Sequence, residues 1–114
     1  MSIRIIVHPY KILIMNDEEI KAKYGNVFKI EVDADDEGKE KVIAYLKKPD
    51  LKTLSATMSV MNSDPIKANQ ILLKNCLIEE ISDKRITDDD EVFLGAMTTL
   101  AELIKIRHSV LKKI

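Results

Sequence analysis

The chain has 114 residues, of which 46% are hydrophobic and 32% are charged, and its formal net charge is −1. This profile predicts one soluble globular domain over residues 1–114, too small for a deep catalytic cleft plus a second domain. The near balance of charge gives no electrostatic reason for a nucleic-acid partner or an anionic membrane. No stretch reaches the ~18 unbroken apolar residues that span a bilayer. The single cysteine excludes an internal disulfide, which favours a reducing cytoplasmic location.

Residues 1–14 differ in character from the rest of the chain. Ile3, Ile5 and Val7 alternate like a strand, Pro9 interrupts the pattern, and apolar residues resume before Met15. Two interpretations stay open. The segment is either an edge strand, which tolerates a proline, or upstream sequence before a natural start at Met15. In both cases residues 15–114 form the core domain.

A short helix and a strand pair follow. Asn16 is a suitable N-cap, the helix is predicted to end near Tyr24, and Gly25 supplies the stop. The next residues, 27–32, alternate as a half-buried strand, and residues 41–47 form the returning strand. Such a hairpin is marginal alone, so it needs a helix or a third strand, which residues 1–14 could supply.

Two short helices are predicted after the hairpin. Asp50 caps the first and Asp64 caps the second, where Pro65 takes the first helical position. The first helix carries an apolar stripe at spacings of three and four: Leu51, Leu54, Met58 and Met61. The brief corner between the helices predicts that they pack as a helical hairpin on a common partner.

The longest helix is predicted near the C-terminus. Thr87 with Asp90 resembles a capping box, and apolar residues follow at helical spacing as far as Ile104. Gly95 lies inside this helix and is compatible with close packing. Residues 108–114 either continue the helix or fray. The predicted fold class is therefore α+β, with an antiparallel β-hairpin or small three-stranded sheet, three main α-helices, and mostly helical structure.

No pattern of residues indicates catalysis, a cofactor or a metal. Asp33, Asp35 and Gly38 match the first half of a calcium-binding loop, but the twelfth position is Ala44 rather than glutamate. The acidic residues 88–91 are explained by helix capping. Cys76 lies on an apolar helix face, as expected for a buried thiol. We therefore expect a protein that is not an enzyme and has no small-molecule substrate.

The candidate functional residues are methionines and one aromatic residue on the helix stripes. Methionine-bearing surfaces adapt to several helical partners, although methionine is also a common core residue. We predict partner binding at two surfaces, formed by Met58 with Met61 and by Phe93 with Met97.

Several segments between residues 16 and 114 together carry a family resemblance. They are Lys-Tyr-Gly at 23–25, FKIEVD at 28–33, YLKKPDLKTLSATMS at 45–59, DPIKANQILLKNC at 64–76, DDEVFLGA at 89–96 and LKK at 111–113. In this order the segments resemble small phage proteins of the tail assembly chaperone type. The chain departs from that pattern after Cys76, where residues 77–80 replace an aromatic residue followed by glycine and acidic residues.

The resemblance implies a non-enzymatic chaperone that keeps the long, apolar, helical tape measure protein in solution while tail subunits polymerise around it. It implies a protein partner, no cofactor, and action in the cytoplasm of the bacterial host. Two alternatives remain open. One is a structural phage component that self-associates, and the other is a regulator that binds nucleic acid through the basic segment 105–113.

Overall fold

The computed structural model describes residues 4–8, 11–104 and 106–114, with the backbone alone for residues 4–8 and 11–14. Pro9, which the sequence analysis expected to interrupt a strand pattern, lies outside the described residues. The described part is an α+β fold, as predicted. Its strands and helices are β1 (Arg4–His8), β2 (Lys11–Met15), α1 (Asp17–Tyr24), β3 (Val27–Asp33), β4 (Lys41–Lys47), α2 (Leu51–Val60), α3 (Pro65–Cys76), α4 (Arg85–Asp88) and α5 (Asp90–Leu100). Two 3-10 turns span Glu79–Ile81 and Ala101–Leu103.

The strands β3 and β4 form the predicted antiparallel hairpin. Their register pairs Val27 with Lys47 and Asp33 with Lys41. The inner strand β4 has five consecutive buried residues, 42–46, so both of its faces are covered. A continuous run of buried residues in β4 fits a strand with packing on both sides, whereas β3 is largely exposed.

The other edge of β4 is covered by residues 77–83 rather than by residues 1–14. In the described residues, β1 pairs with β2 in a separate two-stranded sheet. The amide of Ile78 donates to the carbonyl of Tyr45 (2.9 Å), and the amide of Asp83 donates to the carbonyl of Ile43 (3.0 Å). Between them the Tyr45 amide donates to Ser82 Oγ (2.9 Å). These bonds satisfy the edge of β4, so of the two open possibilities the hairpin packs on helices, and β1 and β2 do not add a third strand to it.

The two faces of the hairpin support two apolar clusters. On one face, side chains of alternate β4 residues pack with residues of α3 and α5, including Val42, Leu46, Leu72, Phe93 and Leu100. On the other face, Ile43 and Tyr45 pack with Ile20 of α1 and with Ile78 and Ile81. Because successive side chains of a strand point to opposite faces, neighbouring residues of β4 pack in different clusters.

The helix starts follow the sequence. The side chains of Asn16, Asp50 and Asp64 accept hydrogen bonds from the amides of Glu19 (2.8 Å), Thr53 (2.8 Å) and Lys67 (3.0 Å), respectively. Gly25 ends α1 with φ of 80°, a conformation that favours glycine. These three predicted caps are therefore confirmed, whereas the predicted capping box of Thr87 with Asp90 is wrong.

The boundaries of the last long helix differ from the prediction. Thr87 lies inside the short helix α4, and Asp89 caps α5 by accepting from the amides of Glu91 (3.0 Å) and Val92 (3.3 Å). The helix ends at Leu100 and tightens into a 3-10 turn, although the apolar pattern predicted a helix to Ile104. Residues 106–114 have no regular secondary structure.

Gly95 brings α5 close to the hairpin. A Cβ atom at this position would lie 3.1 Å from Val32 Cγ1. The missing side chain therefore permits the close approach of α5 to β3, as the sequence suggested.

Candidate partner-binding surface

The apolar stripe of α2 is only partly covered. We call Leu51, Leu54, Met58 and Met61 the α2 stripe. Leu51 is 82% exposed and Met58 is 52% exposed, while Leu54 and Met61 are half-buried. The buried residues of α2 are instead Thr53 and Thr57. At 100° per residue the centre of the stripe lies about 100° around the helix from these threonines.

The orientation of α2 follows from its neighbours. Its main packing partner is α3, which buries Ala68, Leu72, Leu73 and Cys76 towards the rest of the core. Thr57 is fully buried, and its Oγ1 has no hydrogen-bond partner among the described residues. A helix that turns threonines inwards and a leucine and a methionine outwards leaves apolar area available for a partner.

The second predicted surface is not exposed. Phe93 is only 8% exposed and belongs to the core cluster over β4, and the half-buried Met97 packs against the same cluster. Phe93 and Met97 therefore form no exposed surface, because α5 lies directly on β3, and partner binding by these two residues stays a prediction. Of the four predicted partner-binding residues, the structure leaves Met58 the most accessible.

Sequence reasoning missed a pocket of about 550 Å³ beside α1 and the start of β3. We call it the α1–β3 pocket. Its lining includes four cationic side chains and one carboxylate: Lys21, Lys29, Lys48, Arg107 and Asp17. The apolar residues that line it are Ile20, Val27, Phe28 and Leu103, of which Phe28 is the most exposed. These cations are far apart in the sequence, so no local motif signals the pocket.

Residues 20–106 match the family DUF6848, described as a domain of unknown function. The chain belongs to this family. No curated protein matches the chain significantly. A solved structure, titled "Structure of uncharacterised protein rbstp2171 from Bacillus stearothermophilus", aligns with a TM-score of 0.62 and 21% sequence identity. The alignment covers 86% of this chain and 100% of the other, and at this identity it shows a shared fold alone.

The matched range of the DUF6848 domain includes both surfaces described above. The α2 stripe lies wholly within residues 20–106. The α1–β3 pocket lies within it except for Asp17 and Arg107, which fall just outside the two limits.

In the acidic loop of the DUF6848 domain (residues 33–40), two carboxylates bond within the hairpin and Glu40 pairs with Arg85 of α4 (3.0 Å). Asp33 pairs with Lys41 across the hairpin, and Asp35 Oδ1 accepts from the amide of Lys39 (2.9 Å). Gly38 takes the turn position with φ of 69°. These contacts describe a hairpin turn closed by its own side chains. Among the described residues no group of three metal-ligating side chains comes together.

Cys76 is enclosed by the core beneath the helical hairpin. Burial, together with the nearby negative charge of Asp50, raises the pKa of the Cys76 thiol to about 11. The thiolate is the nucleophilic form, so this environment suppresses thiol chemistry at neutral pH.

The helices of the described residues are all too short or too polar to cross a bilayer.

Proposed function

We propose that this protein is a non-enzymatic tail assembly chaperone of a phage or prophage. It binds apolar helical segments of a tape measure protein in the bacterial host cytoplasm while the tail assembles. The observation that supports this proposal most directly is the accessible α2 stripe, where Leu51 is 82% exposed and Met58 is 52% exposed. The order of sequence segments that resembles the tail assembly chaperone type supplies the identity of the client.

The α2 stripe has the chemistry needed to bind a helix transiently. Leu51 and Met58 are seven residues apart, so they lie on one side of α2 and present a short apolar ridge. A helical client can place its own apolar stripe against such a ridge. Methionine adapts its shape to different side chains, which suits a client whose apolar sequence varies along its length.

A non-enzymatic role also agrees with the placement of the reactive groups. Cys76 is buried with a raised pKa, and Asp33, Asp35 and Glu40 of the acidic loop bond to protein groups. The α2 stripe, where this proposal places the client, is apolar and carries no group that could act as an acid, a base or a nucleophile.

The test is co-expression with the tape measure protein of the same phage or prophage genome, followed by a solubility assay and pull-down. We expect the client to remain soluble and to co-purify with the chain. The double variant Leu51→Asp/Met58→Glu should abolish both effects, since it places two charges on the ridge. The matched control is Leu94→Glu on α5, because Leu94 is 51% exposed and so resembles Met58 in accessibility.

Two results would contradict the proposal. One is a client that stays insoluble with the unaltered chain. The other is equal loss of binding in Leu94→Glu and in the double variant. A solution mass measurement of the chain alone separates a chaperone from a self-associating tail component, which would form rings or tubes instead of a monomer or dimer.

A further inference from the structure

We propose that the α1–β3 pocket binds an acidic peptide segment that carries apolar side chains beside its carboxylates. The pocket has a volume of about 550 Å³, within the range of small-ligand and side-chain binding sites. This inference is independent of the proposed function, because the pocket shares no lining residue with the α2 stripe.

The charge of the pocket is strongly positive in a chain that is nearly neutral. Four cations face one carboxylate, whereas the whole chain has a net charge of −1. Lys29 Nζ lies 3.5 Å from Asp17 Oδ2, so these two charges largely offset each other. In the described part of the chain, Lys21, Lys48 and Arg107 form no ion pair within 4.0 Å. Three positive charges therefore remain for a ligand.

The wall beside these cations is partly apolar. Its accessible apolar part comes from Val27, which is half-buried, and from Phe28, which is 38% exposed, because Ile20 and Leu103 are almost fully buried. At the rim, an added Cβ on Gly25 would meet no atom within 4 Å, so this side of the pocket is open. A purely anionic ligand would leave the apolar lining residues exposed to water. A ligand with an apolar group beside its anionic group would contact the apolar lining residues as well as the cations.

Three cations without an ion-pair partner can bind a ligand that carries more than one negative charge. They come from three separate segments, which are α1 for Lys21, the end of the hairpin for Lys48 and the C-terminal segment for Arg107. A short peptide with two carboxylates and intervening apolar side chains matches both the charge and the wall. Each charge-assisted contact would be exposed to solvent, so salt should weaken binding strongly.

The experiment titrates the full chain with a synthetic peptide and follows backbone amide shifts by NMR. The probe contains the core Glu-Leu-Phe-Glu, and its control contains Gln-Leu-Phe-Gln. We expect the acidic peptide to shift the amides of Gly25, Asn26 and Lys29, which line the pocket. The glutamine peptide should bind at least about tenfold more weakly, since it lacks both charges.

A charge-reversal pair locates the site. Lys48→Glu/Arg107→Glu should weaken the acidic peptide at least about tenfold, because both side chains line the pocket and neither lies within a helix or strand. The matched control is Lys74→Glu/Lys113→Glu, which changes the net charge equally at exposed lysines outside the pocket. That control should bind almost as tightly as the unaltered chain.

Further ligands distinguish the source of the carboxylate. Tighter binding of 4-phenylbutyrate than of the peptide, with shifts at the same amides, would overturn the peptide assignment in favour of a small apolar acid. Equal binding of inorganic phosphate would overturn the role of the apolar wall. The proposal would also be overturned by equal binding of the two peptides, or by equal weakening in the two double variants.

Discussion

The helices α2 and α5 carry similar apolar patterns but use them in opposite ways. In α5 most apolar positions face the core, where Val92, Phe93, Ala96 and Leu100 are buried, although Leu94 is exposed. In α2 the buried residues are Thr53 and Thr57, while Leu51 and Met58 of the apolar stripe are exposed. A stripe at helical spacing therefore indicates a helix more reliably than it indicates the face that becomes buried.

The difference arises from the layer in which each helix lies. The helix α5 contacts β3 directly, and Gly95 permits that approach, so its stripe meets a sheet face. The main neighbour of α2 is α3, whose opposite side already covers the sheet. An outer helix has only one neighbouring surface, so part of its apolar stripe remains available for a partner.

The largest change in stability should come from a substitution in the buried apolar stripe of α5. Phe93→Ala removes a large side chain from the core cluster over β4 and should lower the free energy of unfolding by about 3–5 kcal/mol. Leu94→Ala, at the adjacent exposed position, should cost less than about 1 kcal/mol. Urea unfolding of both variants measures the contrast, and similar losses would show that α5 is not anchored as described.

The next largest expected change is in the reactivity of the Cys76 thiol, which lies beneath the helical hairpin. Burial raises the pKa of Cys76 from 9.0 to about 11, so at pH 8 its thiolate fraction should fall about a hundredfold relative to the unfolded chain. The raised pKa contributes stability that is fully present below pH 9 and is lost as the pH rises towards 11. Labelling with a disulfide reagent in native buffer and in denaturant measures the ratio. Equal rates would mean that α3 does not shield Cys76.

A smaller effect should come from the threonine that α2 buries. Thr57 Oγ1 has no hydrogen-bond partner among the described residues, so Thr57→Val replaces a buried unsatisfied hydroxyl with a methyl group of similar shape. This change should raise the free energy of unfolding by about 1 kcal/mol. The control Thr98→Val removes an exposed hydroxyl that donates to the Gly95 carbonyl (3.2 Å), and it should not stabilise the chain. Destabilisation by Thr57→Val would indicate that the hydroxyl is satisfied in solution.

Local signals in the sequence account for much of the fold. The caps Asn16, Asp50 and Asp64, the stop at Gly25 and the approximate bounds of the two hairpin strands all depend on a few neighbouring residues. Capping and turn chemistry act over one helical turn, so they are visible without the tertiary structure.

The remaining features depend on contacts between distant segments. Residues 77–83 cover the edge of β4 through hydrogen bonds to Tyr45 and Ile43, and no local sequence pattern predicts that pairing. The cations of the α1–β3 pocket are likewise brought together by the fold alone. The orientation of the α2 stripe likewise depends on a distant contact, since it is determined by which element packs against α2.

The smallest change in stability should come from the exposed stripe, where methionines of α2 and α5 form a matched pair. Met58 is 52% exposed, whereas Met97 is half-buried against the core cluster over β4. Met58→Glu should change the free energy of unfolding by no more than about 0.5 kcal/mol. Met97→Glu should cost about 2 kcal/mol or more, because it places a charge against apolar side chains. Thermal unfolding compares the two variants. A loss in Met58→Glu as large as that in Met97→Glu would show that α2 buries its stripe in solution, and the surface proposed to bind the client would then not exist.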